Sequence, residues 1–300
     1  MNKNNPYTVK EIKEWGEAKK LFQILSTSWV FRGHQKAKWP LESSLDRINL
    51  SHSSSTKEDI ERFFILQFQR KAHNYLDASL LPRDDLEWLA LMQHHGAPTR
   101  LLDFTKSPYV ASFFALENAG GPSAVWAINK DWCSRQAKMK VTEQCEEITE
   151  EILEDPALLT MWFGKIFFEL DIPMVCPVEP FRMNERLTVQ QGCFLCPGKG
   201  ESTFEKNLMS LSRSADDIPR NVWKIVFYPS VRREALTDLY LMNVNRATLF
   251  PGIDGFAQSL KHETFSSDVE QLIRITIKNW GKRKWQELRC KFSGGTGADT

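Results

Sequence analysis

Leu91-Met92-Gln93-His94-His95-Gly96-Ala97-Pro98-Thr99-Arg100-Leu101-Leu102-Asp103-Phe104-Thr105-Lys106-Ser107-Pro108 puts two imidazoles, a guanidinium, a carboxylate and an amide into one short polar stretch. Apolar runs bound it, Leu86-Glu87-Trp88-Leu89-Ala90 before and Val110-Ala111-Ser112-Phe113-Phe114-Ala115-Leu116 after. Flanks of this kind hold a polar loop on rigid elements, the usual construction of a site. The upstream run predicts a helix over Leu86–His94, stopped near Gly96 and Pro98. Ser107 and Pro108 have the chemistry of an N-cap and a first helical position, so the next helix starts there. The competing interpretation is a buried polar network that fixes the junction of two helices.

Working outward, Ile12, Trp15, Ala18, Leu21, Phe22 and Leu25 recur at helical spacing, which predicts an amphipathic helix over residues 9–25. Trp29–His34 reads as a short strand. Ser51–Lys57 is a polar loop in which Ser55 or Thr56 can cap a helix running from Lys57 to about Tyr75, with Ile60, Phe63, Phe64 and Phe68 on its apolar face. Ser123–Ile128 reads as a strand. Residues 131–160 are acidic and helical, a solvated insert rather than a functional face. Val222–Tyr228 is the clearest later strand, and Ile273–Ile277 fits either a strand or the middle of a helix. The expected class is α+β: one mixed domain with a helical N-terminal layer. Residues 1–28 form the N-terminal helical segment, 29–260 the main domain, 261–292 a segment packed on it and 293–300 a tail.

Composition excludes several classes. The hydrophobic content of 42%, with ten Trp, nineteen Phe and five Tyr, is that of a globular core. A formal charge of +1 gives no global attraction to a polyanion, so any such site is a local patch. Lys282-Arg283-Lys284-Trp285 and Arg232-Arg233 are candidate phosphate contacts, weighed against a simple solvated charge run. No apolar run approaches the ~20 residues of a membrane-spanning helix, the polar start has no secretory h-region, and a cytosolic protein without membrane partners is expected. Six Cys, unevenly spaced, form no disulfide framework. Cys193-Phe194-Leu195-Cys196 has metal-ligand spacing but lacks a second pair, and its flanks favour buried thiols on an extended segment. No His-x-x-x-His or carboxylate cluster accompanies His94 and His95, so no metal is expected.

Four ordered segments resemble the FRG domain, a bacterial family named after a tripeptide. They are Phe31-Arg32-Gly33-His34 with Trp39–Arg47, Gln93–Pro108, Arg186–Phe194, and Leu249–Phe256. A second resemblance is to NAD-dependent ADP-ribosyltransferases, which implies their type of β core. Phe31-Arg32-Gly33 is similar to their opening strand end, and Phe104–Ala115 to their hydroxyl-bearing strand end followed by a helix. The third element of those enzymes carries a Gln/Glu-x-Glu. Here the corresponding segment offers Glu185, Gln190 and Gln191 without that pattern, so the catalytic carboxylate stays open between Asp103 and Glu185.

The resemblance implies NAD as substrate, no metal, and ADP-ribosyl transfer by a toxin-like effector of bacterial phage defence or a toxin–antitoxin system. The acceptor it suggests is a macromolecule such as RNA, with an antitoxin protein as a further partner. The catalytic candidates are His95, Asp103, Glu185 and Gln191. The NAD-binding candidates are Arg32, Gly33, His34, Gln93, Arg100, Thr105 and Ser107. A guanidinium can grip pyrophosphate bidentately, a glycine admits the nucleotide to the backbone, and a carboxylate stabilises an oxocarbenium ion. His95 is preferred to His94 because it abuts Gly96. Arg100 and Asp103 are expected to pair with each other or with Gln93 to hold the loop. Gln191 and Gly192 are expected to share a pocket with Arg32 and His95. Two other functions compete: a metal-independent ribonuclease using His95 with His94 or His34, and a non-catalytic module that senses a nucleotide or peptide.

Overall fold

The structure, a computed structural model, describes residues 5–25, 27–49, 55–200 and 202–260. The expectations for Ile273–Ile277, Lys282–Trp285, segment 261–292 and tail 293–300 lie outside the described residues. Two compact units divide the chain, Met1–Val244 and Asn245–Thr300.

In the first unit the strands are β1 (Thr8–Ile12), β2 (Trp29–His34), β3 (Leu102–Thr105), β4 (Ser123–Asn129), β5 (Val175–Val178), β6 (Gly192–Pro197) and β7 (Val222–Phe227). The helices are α1 (Trp15–Ile24), α2 (Lys57–Ala72), α3 (Asp85–His94), α4 (Pro108–Leu116), α5 (Lys130–Gln144) and α6 (Glu150–Glu154). There follow α7 (Pro156–Gly164), α8 (Glu185–Val189), α9 (Phe204–Met209), α10 (Asp217–Asn221) and α11 (Val231–Leu241). The strands form one sheet in the order β1-β7-β4-β2-β3-β6-β5, antiparallel except for β1 with β7. The class is α+β, as expected.

Side chains alternate across a strand, so each face of β2 meets a different layer. Phe31 and Gly33 face one way: Phe31 meets Phe22 of α1, and α4 crosses directly over Gly33. Val30 faces the other way, in a core with Trp126, Ile128, Trp132, Val141 and Phe163. β2 pairs with β4 from Trp29–Asn129 to His34–Ala124, yet with β3 only at Phe31–Thr105. The sheet splits at this seam, and the split positions the site.

Several expectations need correction. The helix predicted over 9–25 begins at Trp15, where Glu14 and Glu17 form a capping box. Thr8–Ile12 is instead an edge strand on β7. Only Ile12 of its five residues is buried, so backbone pairing rather than an apolar face holds it. In α2 the caps are as expected, with the Thr56 side chain accepting from the Asp59 N–H. Its buried face, however, carries Glu61, Ile65 and Ala72, while Phe63 is 56% exposed. The acidic insert is helical but not merely solvated: Trp132, Ala137, Val141, Leu153 and Leu159 enter the core while its glutamates point out. Arg232, a candidate phosphate contact, donates from Nε to the Leu116 carbonyl and from Nη2 to that of Glu117, both at 2.7 Å. It therefore caps the C-terminus of α4, where a cation complements the helix dipole. Cys193 and Cys196 are buried in β6. Three residues apart on a strand, they face opposite sides of the sheet and cannot chelate one ion.

The second unit is described from Asn245 to Leu260. It holds α12 (Arg246–Leu249) and α13 (Ile253–Ser259). Gly255 is required by space, since a Cβ there would lie 1.8 Å from the Phe250 carbonyl oxygen. Among the described residues no helix is long and apolar enough to cross a membrane.

Candidate functional site

Three expected segments meet at the split seam. Phe31 of β2 stands opposite Thr105 of β3, and Thr105 opposite Gly192 of β6. Two strand spacings separate Phe31 from Gly192, about 10 Å. A cleft of about 370 Å³ opens there, a size usual for a small-molecule site. Arg32, Gln35, Gln93, His94, Asp103, Thr105, Asn184, Arg186 and Gln190 supply its polar walls; Phe31, Trp39, Phe104, Phe114, Leu187 and Phe194 supply apolar ones. Among the described lining residues the cleft thus carries two guanidiniums, one carboxylate and several aromatic faces.

Arg32 is fixed from two sides. Its Nε donates to His34 Nε2 at 3.3 Å and its Nη1 to the Asp103 carbonyl at 2.7 Å. The Asp103 carboxylate lies 3.8 Å from Nη1 and is 60% exposed, so this ion pair is loose. Nη2 makes no hydrogen bond among the described residues. Burial pushes Arg32 below its ordinary range, which Asp103 opposes and Arg47 reinforces. Burial, with the Arg32 charge second, pushes His34 down to about 3. A neutral His34 is what Arg32 Nε needs, because only an unprotonated nitrogen accepts. His34 is buried behind Arg32 and does not line the cleft, so it acts on the guanidinium rather than on a ligand.

Thr105 is saturated: its hydroxyl donates to the Gln190 carbonyl at 2.7 Å and accepts from the Ser107 N–H at 3.0 Å. It ties the end of β3 to the turn before β6. Ser107 caps α4 through the Val110 N–H and does not line the cleft. Gln93 does, and it receives the Thr99 hydroxyl through its side-chain carbonyl.

Other expected residues are displaced. His94, not His95, lines the cleft, because the last turn of α3 points residue 94 inward. Burial, His95 and Arg186 lower the pKa of His94. Gln190 and Gly192 line it, not Gln191; the segment expected to be strand-like is α8 followed by a left-handed turn at Gln191, with φ 49°. Glu185 is exposed in the first turn of α8 and does not line the cleft, which leaves Asp103 as the carboxylate there. The two glycines are needed by packing. A Cβ on Gly33 would lie 2.1 Å from the Ala111 carbonyl, and one on Gly192 2.3 Å from Leu187 Cδ1.

Arg100 is the largest correction. It neither binds in the cleft nor pairs with Asp103. It is buried against Glu61, whose carboxylate takes its backbone N–H at 2.7 Å and its Nε at 2.5 Å. Nη1 reaches the Phe167 carbonyl at 2.6 Å. The buried-network interpretation therefore describes this end of the loop.

Residues 27–123 match the FRG domain. No curated protein and no solved structure matches the chain. The FRG match contains β2, β3 and α4, and with them Arg32, Gln93, His94, Asp103 and Thr105. It ends before Arg186–Phe194 and Leu249–Phe256, although Arg186, Leu187, Gln190, Gly192 and Phe194 stand across the cleft from the FRG residues. Arg186, Trp39, Gln35, Asn184 and Phe114 line the cleft but were not among the expected site residues. For Asn184 a signal existed: its side chain caps α8 by accepting from the Leu187 N–H at 2.8 Å.

Proposed function

We propose that the cleft binds NAD and transfers ADP-ribose to a nucleophilic acceptor. The observation that carries this reading is the row Phe31–Thr105–Gly192, which brings the three segments resembling ADP-ribosyltransferase elements to one cleft at a split in the sheet. Arg32 and Arg186 supply charge for the pyrophosphate, and the aromatic walls supply faces for the planar rings. In the reaction the bond from ribose C1′ to nicotinamide breaks, and its electron pair leaves with nicotinamide. Asp103 stabilises the cationic ribose, and the acceptor's lone pair closes on C1′ as its proton passes to His94 or water. His34 holds Arg32.

Titration calorimetry with NAD tests the reading directly. Wild-type protein binds, and Arg32→Ala loses about 10- to 100-fold in affinity while keeping its melting temperature, the equivalent of one charge-assisted contact of ~1.5–3 kcal/mol. Absence of both NAD binding and nicotinamide release in the wild-type protein would remove the transferase. Cutting of RNA without NAD, lost in His94→Ala and Asp103→Asn, would favour a nuclease using those two groups. Ligand binding without turnover would leave a sensing module.

A further inference from the structure

We infer that the rim of the cleft formed by residues 32–47 is a docking surface for single-stranded nucleic acid, with Trp39 as the platform for an unpaired base. The inference deepens the transferase reading by naming the acceptor, and it rests on that reading for the word acceptor alone. The binding can be measured without NAD.

Trp39 is 41% exposed yet lines the cleft, so its indole stands at the mouth. The edge of His34 meets it at 6.1 Å, and Lys36 Nζ lies 5.6 Å from its centroid. An indole exposed at a cleft mouth offers a flat face to a planar partner.

Charge around the ring is predominantly basic: within 32–47 Arg32, Lys36, Lys38 and Arg47 outnumber Glu42 and Asp46. From Thr27 to Leu41 the sequence has no Asp or Glu, while Arg32, Lys36 and Lys38 fall in eight residues ending at Trp39. Lys36, Lys38 and Arg47 are exposed. Arg47 is anchored at the same rim by donating to the Glu42 carbonyl at 3.0 Å, and its charge is felt by both Arg32 and His34. Glu205 reaches this segment, but its carboxylate takes the Leu41 N–H at 3.0 Å. A chain with formal charge +1 has thus concentrated cations beside one exposed indole, at the edge of a cleft that already holds two arginines. An aromatic platform with basic side chains tracking a backbone is the arrangement that binds single strands. A duplex hides its base faces and cannot use the ring, and an acidic peptide would use the cations but not the indole.

Fluorescence anisotropy with a labelled single-stranded RNA 12-mer tests this, beside the same sequence as a duplex and an equally charged polyglutamate. The single strand binds more tightly than either control. The log–log salt dependence has a slope of about −2, as three phosphate contacts on a single strand give. Trp39→Ala weakens the single strand about ten-fold or more, Trp39→Phe restores most of the loss because it keeps a stacking face, and both keep the wild-type melting temperature. Lys38→Glu lowers affinity and flattens the salt slope. Equal affinity for duplex and single strand, or full binding by Trp39→Ala, overturns the inference. Labelled NAD added to RNA and lysate protein separates it from the transferase reading. Label on protein and not on RNA overturns the acceptor assignment but keeps the transferase, whereas RNA binding without NAD binding does the reverse.

Discussion

Arg100 shows how a charged residue in a site-like motif can belong to the core. Its side chain is 1% exposed and that of Glu61 0%. Moving either charge out of water costs several kcal/mol, which the pair recovers through the bonds between them and the Phe167 carbonyl. Removing one partner strands the other. Arg100→Ala and Glu61→Gln are each expected to lower stability by ~3–5 kcal/mol in urea titrations. The double variant Arg100→Met with Glu61→Leu should recover most of that loss, since no buried charge remains. Single variants as stable as the wild type would mean that water reaches the pair. Nothing in the local sequence around Glu61 announces this role. At i, i+4 and i+11 it shares the buried face of α2 with Ile65 and Ala72, where an apolar pattern would have placed it outside.

At the scale of elements, α4 and β2 meet at Gly33, and that contact sets how closely the helix approaches the sheet behind the cleft. The backbone there needs no glycine conformation; the space does. A methyl at 2.1 Å from the Ala111 carbonyl and 2.6 Å from the Ala115 amide forces α4 outward. Gly33→Ala is therefore expected to cost ~1–3 kcal/mol by overpacking, and to weaken NAD binding through the tilt of the neighbouring Arg32. An unchanged thermal melt would show that α4 yields without strain. The elements differ in how well the sequence announced them. β2, α3, α4, β4 and β7 were legible because each carries its own signal: alternation, an N-cap, or proline at the first turn. β1 was not, because its single buried residue leaves no period to read and its strand character comes from the free edge of β7. The turn at Gln191 was hidden for a related reason, since Arg186–Gln191 has too few residues to separate a short helix from a strand. In the cleft, the lining side chains include His94 and Gln190, each one position before the His95 and Gln191 that were expected. A loop motif locates the backbone, but the phase of α3 and α8 decides which side chain turns inward.

Besides the β3–β6 pairing, the ion pair of Glu87 and Arg182 joins the two walls of the cleft, and that pair should respond to acid. Glu87 sits on α3, whose Ala90, Gln93 and His94 line one wall, and Arg182 precedes α8, whose Arg186 and Leu187 line the other. Arg182 donates from Nε to Glu87 Oε1 at 3.0 Å and from Nη2 to Oε2 at 2.5 Å, and Nη2 also reaches the Leu81 carbonyl. Burial raises the Glu87 carboxyl, but the bonds from Arg182 and from the Arg83 N–H outweigh it and leave the pKa below its ordinary 4.5. A depressed folded value means that the stabilisation is complete above 4.5 and lost as the pH falls below it through the folded value. His34 acts earlier and with the same sign. Its folded pKa of about 3 lies below the ordinary 6.5, so the unfolded chain takes up a proton that the folded one refuses. Between those values that residue alone removes up to ~1.4 kcal/mol per pH unit. Thermal melts from pH 8 to pH 3 should then fall in two stages, below 6.5 and again below 4.5. His34→Gln, which keeps an acceptor for Arg32 Nε, should flatten the first stage, and Glu87→Gln the second. Because the Glu87 pair clamps the walls, Glu87→Gln should also weaken ligand binding at pH 7, where its effect on the acid profile is absent. Melts of Glu87→Gln that track the wild type at every pH, with unchanged binding, would show that packing and the β3–β6 pairing hold the walls without this ion pair.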